Sequence, residues 1–249
     1  MPDTDLDWKK WGRQDPYFGG LASPEYGRDQ ISANREAFFR SGKLFIDDVL
    51  TELARFDPHA PRDRALDHGC GTGRLTLPLS EAYRSVVAVD VSPEMLGEAE
   101  RNARSAGRHN IDFRLADDRL SKVTETFDLV VSHLVLQHVP VRRGMAIFRE
   151  LIGRVAPGGL FYVSVSIRND SGPLRWLYWA SAVVPGVKIV QNLLRGAKWN
   201  APAMQMNPYP IDRLLAELSK RGVQRSLLIT DAHHPRFQTF SLLGILPAA

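Results

Sequence analysis

A glycine-rich turn, placed between a short apolar run and a helix-like segment, most constrains what this chain can fold into. Its sequence, LDHGCGTGR at residues 66–74, has glycines at three alternate positions. Glycine has no Cβ, so a ligand can lie directly against the main chain of such a turn. The N–H groups at the start of the following helix favour electronegative ligand atoms. A dinucleotide-binding turn has a glycine where this chain has Arg74, and this difference argues against a pyrophosphate ligand.

The segment around this turn alternates between short apolar runs and helix-like stretches. The runs lie at residues 65–66, 86–89, 111–115, 129–131 and 160–165. Helices are predicted between most of them, most clearly from the N-cap Ser92 to Gly107 and over residues 141–155. Nearly unbroken apolar strands that alternate with helices are typical of a parallel sheet covered on both faces.

Two further strand-like runs, 224–230 and 239–246, are separated by the short connection His233-His234-Pro235. Consecutive strands with a short link pair antiparallel, so these runs predict a closing hairpin. Because crossovers between parallel strands are right-handed, the expected fold class is α/β: a doubly wound, Rossmann-like, mostly parallel seven-stranded sheet that ends in an antiparallel hairpin.

We interpret the chain as a single domain with four parts. Residues 1–58 form an N-terminal arm with helices, in which Gly42 is a candidate break, and the arm serves either as a lid or as plain packing. Residues 60–167 form the core that carries the glycine-rich turn. Residues 168–210 form an insert whose aromatic residues line an acceptor pocket, touch a lipid interface or simply pack (Trp176, Tyr178, Trp179 and Trp199). Residues 211–249 supply a last helix and the hairpin.

Charge is unevenly distributed along the chain. Residues 168–249 carry 10 Lys and Arg against 4 Asp and Glu, whereas the rest of the chain is slightly acidic. This asymmetry fits an anionic substrate, nucleic acid, a membrane surface or merely a solvated face. The single cysteine, Cys70, excludes a disulfide framework and fits a reducing compartment. No apolar run approaches the roughly 20 residues of a membrane span, and no secretory signal is evident. We therefore expect a cytoplasmic protein.

Acidic residues follow two of the predicted strands. Asp90 ends the run at 86–89, 17 residues after Gly73. This is close to the spacing at which a carboxylate accepts the ribose hydroxyls of a nucleoside. Asp117 and Asp118 follow the run at 111–115 and reach the same edge of the sheet. A contact to an adenine amino group fits there, with a solvated loop as the alternative.

Taken together, these motifs resemble the class I S-adenosylmethionine-dependent methyltransferases in order and spacing. Besides the turn they include VVAVDVSPEML at 86–96, FDLVVSHLVLQHV at 127–139 and APGG at 156–159. The resemblance covers roughly residues 60–167 and implies S-adenosyl-L-methionine as the cofactor. It implies contacts to the methionine part from Asp67, Gly69, Cys70, Gly71 and Gly73, to the ribose from Asp90, to the adenine from Val91, Met95, Asp117 and Asp118, and below the sulfonium from Ser132 and His133.

The resemblance predicts methyl transfer to an oxygen or nitrogen of a small-molecule acceptor by in-line displacement. Proximity and alignment contribute up to about 7–11 kcal/mol in such reactions. A general base adds about 10²–10⁴-fold where the acceptor is a hydroxyl. Histidine suits this role, and the candidates are His138, which otherwise has a structural role, and His133, which otherwise contacts cofactor or substrate. No carboxylate in residues 163–166 supports a His–Asp dyad.

Two alternatives remain open. A tRNA or rRNA methyltransferase fits the basic C-terminal third, although no Lys/Arg run exceeds two residues and residues 132–135 lack the Asn/Asp-Pro-Pro-Tyr or Phe motif. A non-catalytic cofactor-binding protein with the same fold is the other. The acceptor is expected to be anionic or lipid-like, nucleic acid is disfavoured, and no metal is expected, because His233 and His234 have no ligand partners at suitable spacing.

Overall fold

The computed structural model describes residues 4–169, 202, 204–234 and 237–248. Within them a seven-stranded sheet has the order β3-β2-β1-β4-β5-β7-β6. Strands β1 to β5 pair in parallel, and β5-β7 and β7-β6 pair antiparallel. The predicted α/β fold class is thereby confirmed. The strands are β1 Arg64–His68, β2 Ser85–Asp90, β3 Ile111–Leu115, β4 Phe127–Ser132, β5 Val155–Asn169, β6 Arg225–His234 and β7 Phe237–Ile245.

Seven α-helices lie within the described residues. They are α1 Thr4–Gln14, α2 Pro16–Leu21, α3 Ile31–Leu53, α4 Thr76–Ala82, α5 Pro93–Ser105, α6 Val141–Gly153 and α7 Ile211–Lys220, with 3₁₀ turns at Pro24–Tyr26 and Leu136–His138. Helix α5 begins as its sequence predicts, because the Ser92 hydroxyl accepts a hydrogen bond from the Met95 N–H at 3.3 Å. None of the described helices combines the length and apolar character that a membrane crossing requires.

The sheet separates two apolar clusters. One lies under α6 and α7 and includes the fully buried rings of Phe148 and Phe161. The other lies under α3 and α4 and includes Ile46, Leu79 and Leu129. Alternate residues of the central strands contribute to opposite clusters, which explains why these strands are apolar on both faces. Full burial of each large side chain contributes about 1.5–3 kcal/mol.

The position of the functional site follows from the strand order. Strand order reverses between β1 and β4, and open α/β sheets bind ligands at the carboxyl ends of the strands beside such a reversal. The glycine-rich turn leaves the carboxyl end of β1, and His133 directly follows β4. Both predicted motifs therefore reach the same crevice.

Three expectations need correction or lie outside the described residues. Helix α3 runs through Gly42 without a break. The glycine instead permits a close approach to Arg74, because a Cβ there would lie 2.2 Å from the carbonyl oxygen of Arg74. Strand β6 continues through His233 and His234, so neither belongs to a short connection, and Pro235 is not described. The aromatic residues of the predicted insert likewise lie outside the described residues: Trp176, Tyr178, Trp179 and Trp199.

Candidate functional site

A cavity at the carboxyl ends of β1, β2 and β4 encloses about 780 Å³, its open mouth included. The N-terminal arm and α6 complete its walls. Nine of the sequence-predicted site residues line it: Gly69, Gly71, Asp90, Val91, Met95, Asp117, Asp118, His133 and His138. Four others, Asp67, Cys70, Gly73 and Ser132, lie behind this lining, so direct ligand contact by them stays a prediction.

The glycines of the turn have different physical roles. Gly71 has φ +53°, and a Cβ added there would meet nothing within 4 Å, so open space faces its main chain. Gly69 has φ +73°, and a Cβ there would lie 2.2 Å from Val135 Cγ2 on the cavity wall. Gly73 lies against Ala99 of α5. Of the three, only Gly71 leaves open space beside its main chain, where a ligand could lie.

The Asp90 carboxylate is held at the cavity by the main chain. Its Oδ2 accepts the Gly71 N–H at 2.9 Å, and its Oδ1 accepts the Ser92 N–H at 2.8 Å. Burial raises the pKa of Asp90 to about 6, although the main-chain N–H groups of Ser92, Gly71 and Val91 oppose this shift. Each oxygen keeps acceptor capacity for one further donor, which suits the two hydroxyls of a ribose.

Two of the residues behind the lining, Asp67 and Ser132, are hydrogen-bonded to neighbouring side chains. Asp67 Oδ2 accepts the Thr76 hydroxyl at 2.6 Å, and Ser132 Oγ lies 3.0 Å from His68 Nδ1. Burial raises the pKa of Asp67 to about 6 and lowers that of His68 to about 4. Burial also raises the pKa of the Cys70 thiol well above its ordinary value, so this cysteine is not an activated nucleophile.

Asp117 and Asp118 differ in their surroundings. Asp117 Oδ1 accepts the N–H groups of Arg119 at 3.0 Å and Ser121 at 2.9 Å, so the carboxylate closes its own turn. Asp118 forms an ion pair with Arg143 at the start of α6, and the same guanidinium lies 2.6 Å from Asp5 Oδ2 in the arm. Arg143 therefore joins three walls of the cavity.

His133 lies in an aromatic group at the carboxyl end of β4. Its ring centroid is 4.1 Å from that of Phe45 in α3 and 5.9 Å from that of Tyr162 in β5. The next residue, Leu134, has φ +58°, which is strained for leucine. Its N–H donates to Ser164 Oγ at 2.6 Å, a contact that holds this conformation. Burial lowers the pKa of His133 well below its ordinary value.

His138 ends the 3₁₀ turn after β4 and has a defined environment. Its Nδ1 lies 2.7 Å from the main-chain oxygen of Gln205, and the Trp8 ring packs on it with centroids 5.0 Å apart. The hydroxyl of Thr4 donates to the His138 carbonyl oxygen at 2.9 Å. Burial lowers the pKa of His138 to about 4, so the ring is neutral at neutral pH.

The buried Tyr209 holds the main chain of this turn by hydrogen bonds. Its hydroxyl lies 2.8 Å from the oxygen of Leu136 and 2.9 Å from that of Val139, and it donates to this pair. A Cβ on Gly144 would overlap the same hydroxyl. Asn207 adds a hydrogen bond from its main-chain N–H to the oxygen of Gln137 at 2.7 Å. Both contacts fix the position of the turn that carries His138.

The arm was a candidate lid from the sequence, and its Trp8 lines the cavity. Sequence reasoning missed the other lining residues of the arm and of α6, namely Thr4, Asp5, Gly19, Gly20, Arg143 and Ile147. One signal was available for Arg143. Basic residues are unfavourable near a helix N-terminus, yet α6 begins Val-Arg-Arg with no acidic residue in its first turn. Such a placement indicates a specific carboxylate partner.

Comparisons with known proteins agree with this geometry. Residues 65–159 match a family described as a methyltransferase domain. A ubiquinone biosynthesis O-methyltransferase of Rhizobium rhizogenes is 34% identical over 149 residues, which cover 53% of this chain and 58% of that protein. A 23S rRNA (uracil(1939)-C(5))-methyltransferase of Shewanella sediminis is 33% identical over 156 residues, which cover 61% of this chain and 35% of that protein. The chain thus spans less than two thirds of the length of these curated relatives.

A solved structure extends the likeness to nearly the whole fold. The magnesium protoporphyrin IX methyltransferase of Synechocystis PCC 6803, with bound S-adenosylmethionine, superposes with a TM-score of 0.60 at 17% identity. The match covers 98% of each chain. At this identity the likeness establishes the fold alone.

Proposed function

We propose that this chain is a class I S-adenosylmethionine-dependent methyltransferase that transfers a methyl group from S-adenosylmethionine to a small-molecule acceptor. The match of residues 65–159 to a methyltransferase-domain family supports this proposal. The acceptor atom is oxygen, as in the ubiquinone biosynthesis O-methyltransferase relative, with nitrogen as the alternative. When bound, the cofactor supplies an electrophilic methyl group on sulfonium.

One observation carries this proposal: the Asp90 carboxylate lies beside the open space at Gly71. The carboxylate oxygens have capacity for two hydroxyl donors, and Gly71 offers a main-chain surface without a side chain. Both features fit the adenosyl and methionine parts of the cofactor. Val91 and Met95 line the adjoining wall, where an adenine ring would be in apolar contact.

The residues around His138 orient the acceptor, exclude water and accept a proton. Trp8 and the first turn of α1 cover the side of the cavity that holds His138. Exclusion of water from this side favours an orientation of the acceptor in which its lone pair is aligned with the methyl group. With its proton on Nδ1, His138 offers Nε2 as the base for an acceptor hydroxyl, whose proton would move to this nitrogen.

Binding and transfer can be tested separately. We expect S-adenosylhomocysteine to bind the purified chain with micromolar affinity in calorimetry and NADH not to bind. Incubation with tritiated-methyl S-adenosylmethionine and fractionated metabolite extracts should label a small molecule. Absence of S-adenosylhomocysteine binding at millimolar concentration would refute the proposal, and binding without labelling in any fraction would favour the non-catalytic alternative.

The rRNA methyltransferase relative makes RNA a second candidate acceptor. If RNA is the acceptor, tritium should enter the RNA fraction and RNA binding should weaken steeply as salt rises.

A further inference from the structure

Arg74 is a buried cation that the proposed reaction does not yet use. It directly follows the glycine-rich turn and is 9% exposed. Within the described part of the chain its guanidinium has one weak hydrogen bond, from Nη1 to Ser41 Oγ at 3.4 Å, and forms no ion pair. The buried Asp67 carboxylate attracts this charge, but it is hydrogen-bonded to the Thr76 hydroxyl and not to the guanidinium. The guanidinium has five N–H donors, so most of its donor capacity is unused.

Such an arrangement is costly for the protein without a ligand. A buried charge is normally paired, and an unpaired one destabilises the fold by its lost hydration. Burial lowers the pKa of Arg74 to about 10, so the group stays charged at neutral pH. A cationic fork held in this state matches a planar carboxylate or a phosphate.

The surroundings of Arg74 connect it to the cavity. Its guanidinium carbon lies 5.8 Å from the ring centroid of Phe45, and the Phe45 ring packs on His133, which lines the cavity. Gly42 lets α3 pass directly over the Arg74 main chain, which fixes the residue beneath this helix. Arg74 is not among the residues that line the cavity, and it lies behind the end that His133 forms, close enough for its charge to act on the His133 ring.

We propose that Arg74 binds an anionic group, a carboxylate or phosphate, of a ligand that occupies the His133 end of the cavity. This assignment rests on the proposed function. Two ligands carry suitable chemistry: the α-carboxylate of the methionine part of S-adenosylmethionine, and an anionic group on the acceptor.

The first experiment tests the cofactor as the source of the anion. Calorimetry compares S-adenosylhomocysteine, which has the carboxylate, with 5′-methylthioadenosine, which lacks it, on wild type, R74M and R74K. If the cofactor carboxylate is bound, R74M should weaken S-adenosylhomocysteine binding at least ten-fold and leave 5′-methylthioadenosine binding unchanged. R74K should recover part of the loss, because it keeps the charge without the fork.

The second experiment tests an acceptor anion. Thermal unfolding is followed with saturating S-adenosylhomocysteine and added benzoate or inorganic phosphate. If the acceptor is the source, S-adenosylhomocysteine affinity is equal in wild type and R74M, and either anion raises the Tm of wild type but not of R74M. R104M, at an exposed arginine of α5 that pairs with Glu100, should behave as wild type in both experiments.

The ligand-free protein is the control for folding. R74M removes the buried guanidinium but also leaves the buried Asp67 carboxylate without the cation that attracts it, so the Tm of R74M without ligand serves only to show that the variant is folded. Equal ligand and anion responses in wild type and R74M would overturn the assignment. Failure of wild type to bind S-adenosylhomocysteine would instead overturn the proposed function.

Discussion

His138 Nδ1 lies 2.7 Å from the main-chain oxygen of Gln205, and a carbonyl oxygen can only accept a hydrogen bond. The proton of the neutral ring is therefore on Nδ1, and Nε2 keeps its lone pair. The 3.5 Å contact from the Gln137 side-chain amide to Nε2 is long for a hydrogen bond, so the lone pair is weakly engaged. A ring in this tautomer is prepared to accept a proton at Nε2.

We expect H138Q to lower kcat by about 10²–10³-fold while the Kd of S-adenosylhomocysteine changes little, because only proton acceptance is lost. Since the pKa of His138 is about 4, the wild-type kcat, measured at saturating cofactor, should stay level from neutral pH down to about pH 5 and fall below it. Initial rates with the labelled acceptor measure both effects. The exposed His59 provides the control H59Q. An unchanged rate in H138Q would exclude this histidine as the base.

Gly71 and Gly107 form a matched pair for testing the ligand cradle. Both have positive φ, +53° and +66°, and a Cβ at either would meet nothing within 4 Å. Substitution by alanine should therefore lower the free energy of unfolding by a similar amount at each position, about 1–2 kcal/mol, which is the cost of a left-handed conformation for a residue with a Cβ. We expect G71A to weaken S-adenosylhomocysteine binding more than ten-fold in calorimetry and G107A to leave it unchanged. Equal affinities of the two variants would mean that no ligand lies against Gly71.

Asp90 should control cofactor affinity and its dependence on pH. D90A removes a charge-assisted acceptor and should weaken S-adenosylhomocysteine binding by about 1.5–3 kcal/mol. Because the pKa of Asp90 is about 6, protonation should reduce wild-type affinity about ten-fold between neutral pH and about pH 5. D90A should lack this dependence. D47A, at an exposed carboxylate of α3, should keep both affinity and pH profile, and a D90A variant with the same profile would remove Asp90 from the site.

The ion pairs of Arg143 should hold the arm over the bound ligand. The side chains in these ion pairs are between 27% and 41% exposed. Screening by solvent therefore limits the stabilisation from the ion pairs to about 1 kcal/mol. D5N should accordingly raise the dissociation rate of S-adenosylhomocysteine about five-fold in stopped flow. It should also speed amide exchange in α1. K43M, which breaks an exposed ion pair on α3, should change neither. A dissociation rate for D5N equal to wild type would show that the arm packs without retaining the ligand.

The core and one half of the site could be predicted from sequence because their signals are local. The apolar runs indicate strands that are buried on both faces, and the alternation of these strands with helices predicts a parallel sheet. The turn at Gly69 and Gly71 and the acid at Asp90 follow successive strands, so their meeting at one edge is a consequence of topology alone.

The other half depends on packing between distant segments. Arg143 and Asp5 are 138 residues apart, and no periodicity of the sequence predicts that the arm packs against the start of α6. Gly42 illustrates the same limit, because its low helix propensity suggests a break. The structure instead uses it for a close approach to Arg74. Such contacts exist only once the tertiary fold is formed.

Tyr209 and Asn207 anchor the returning chain to the 136–139 turn, while β5 ends in the sheet at Asn169, paired with Phe237. These hydrogen bonds are all made to main-chain oxygens of the turn. Its side chains can therefore be exchanged during evolution while its backbone keeps the same place.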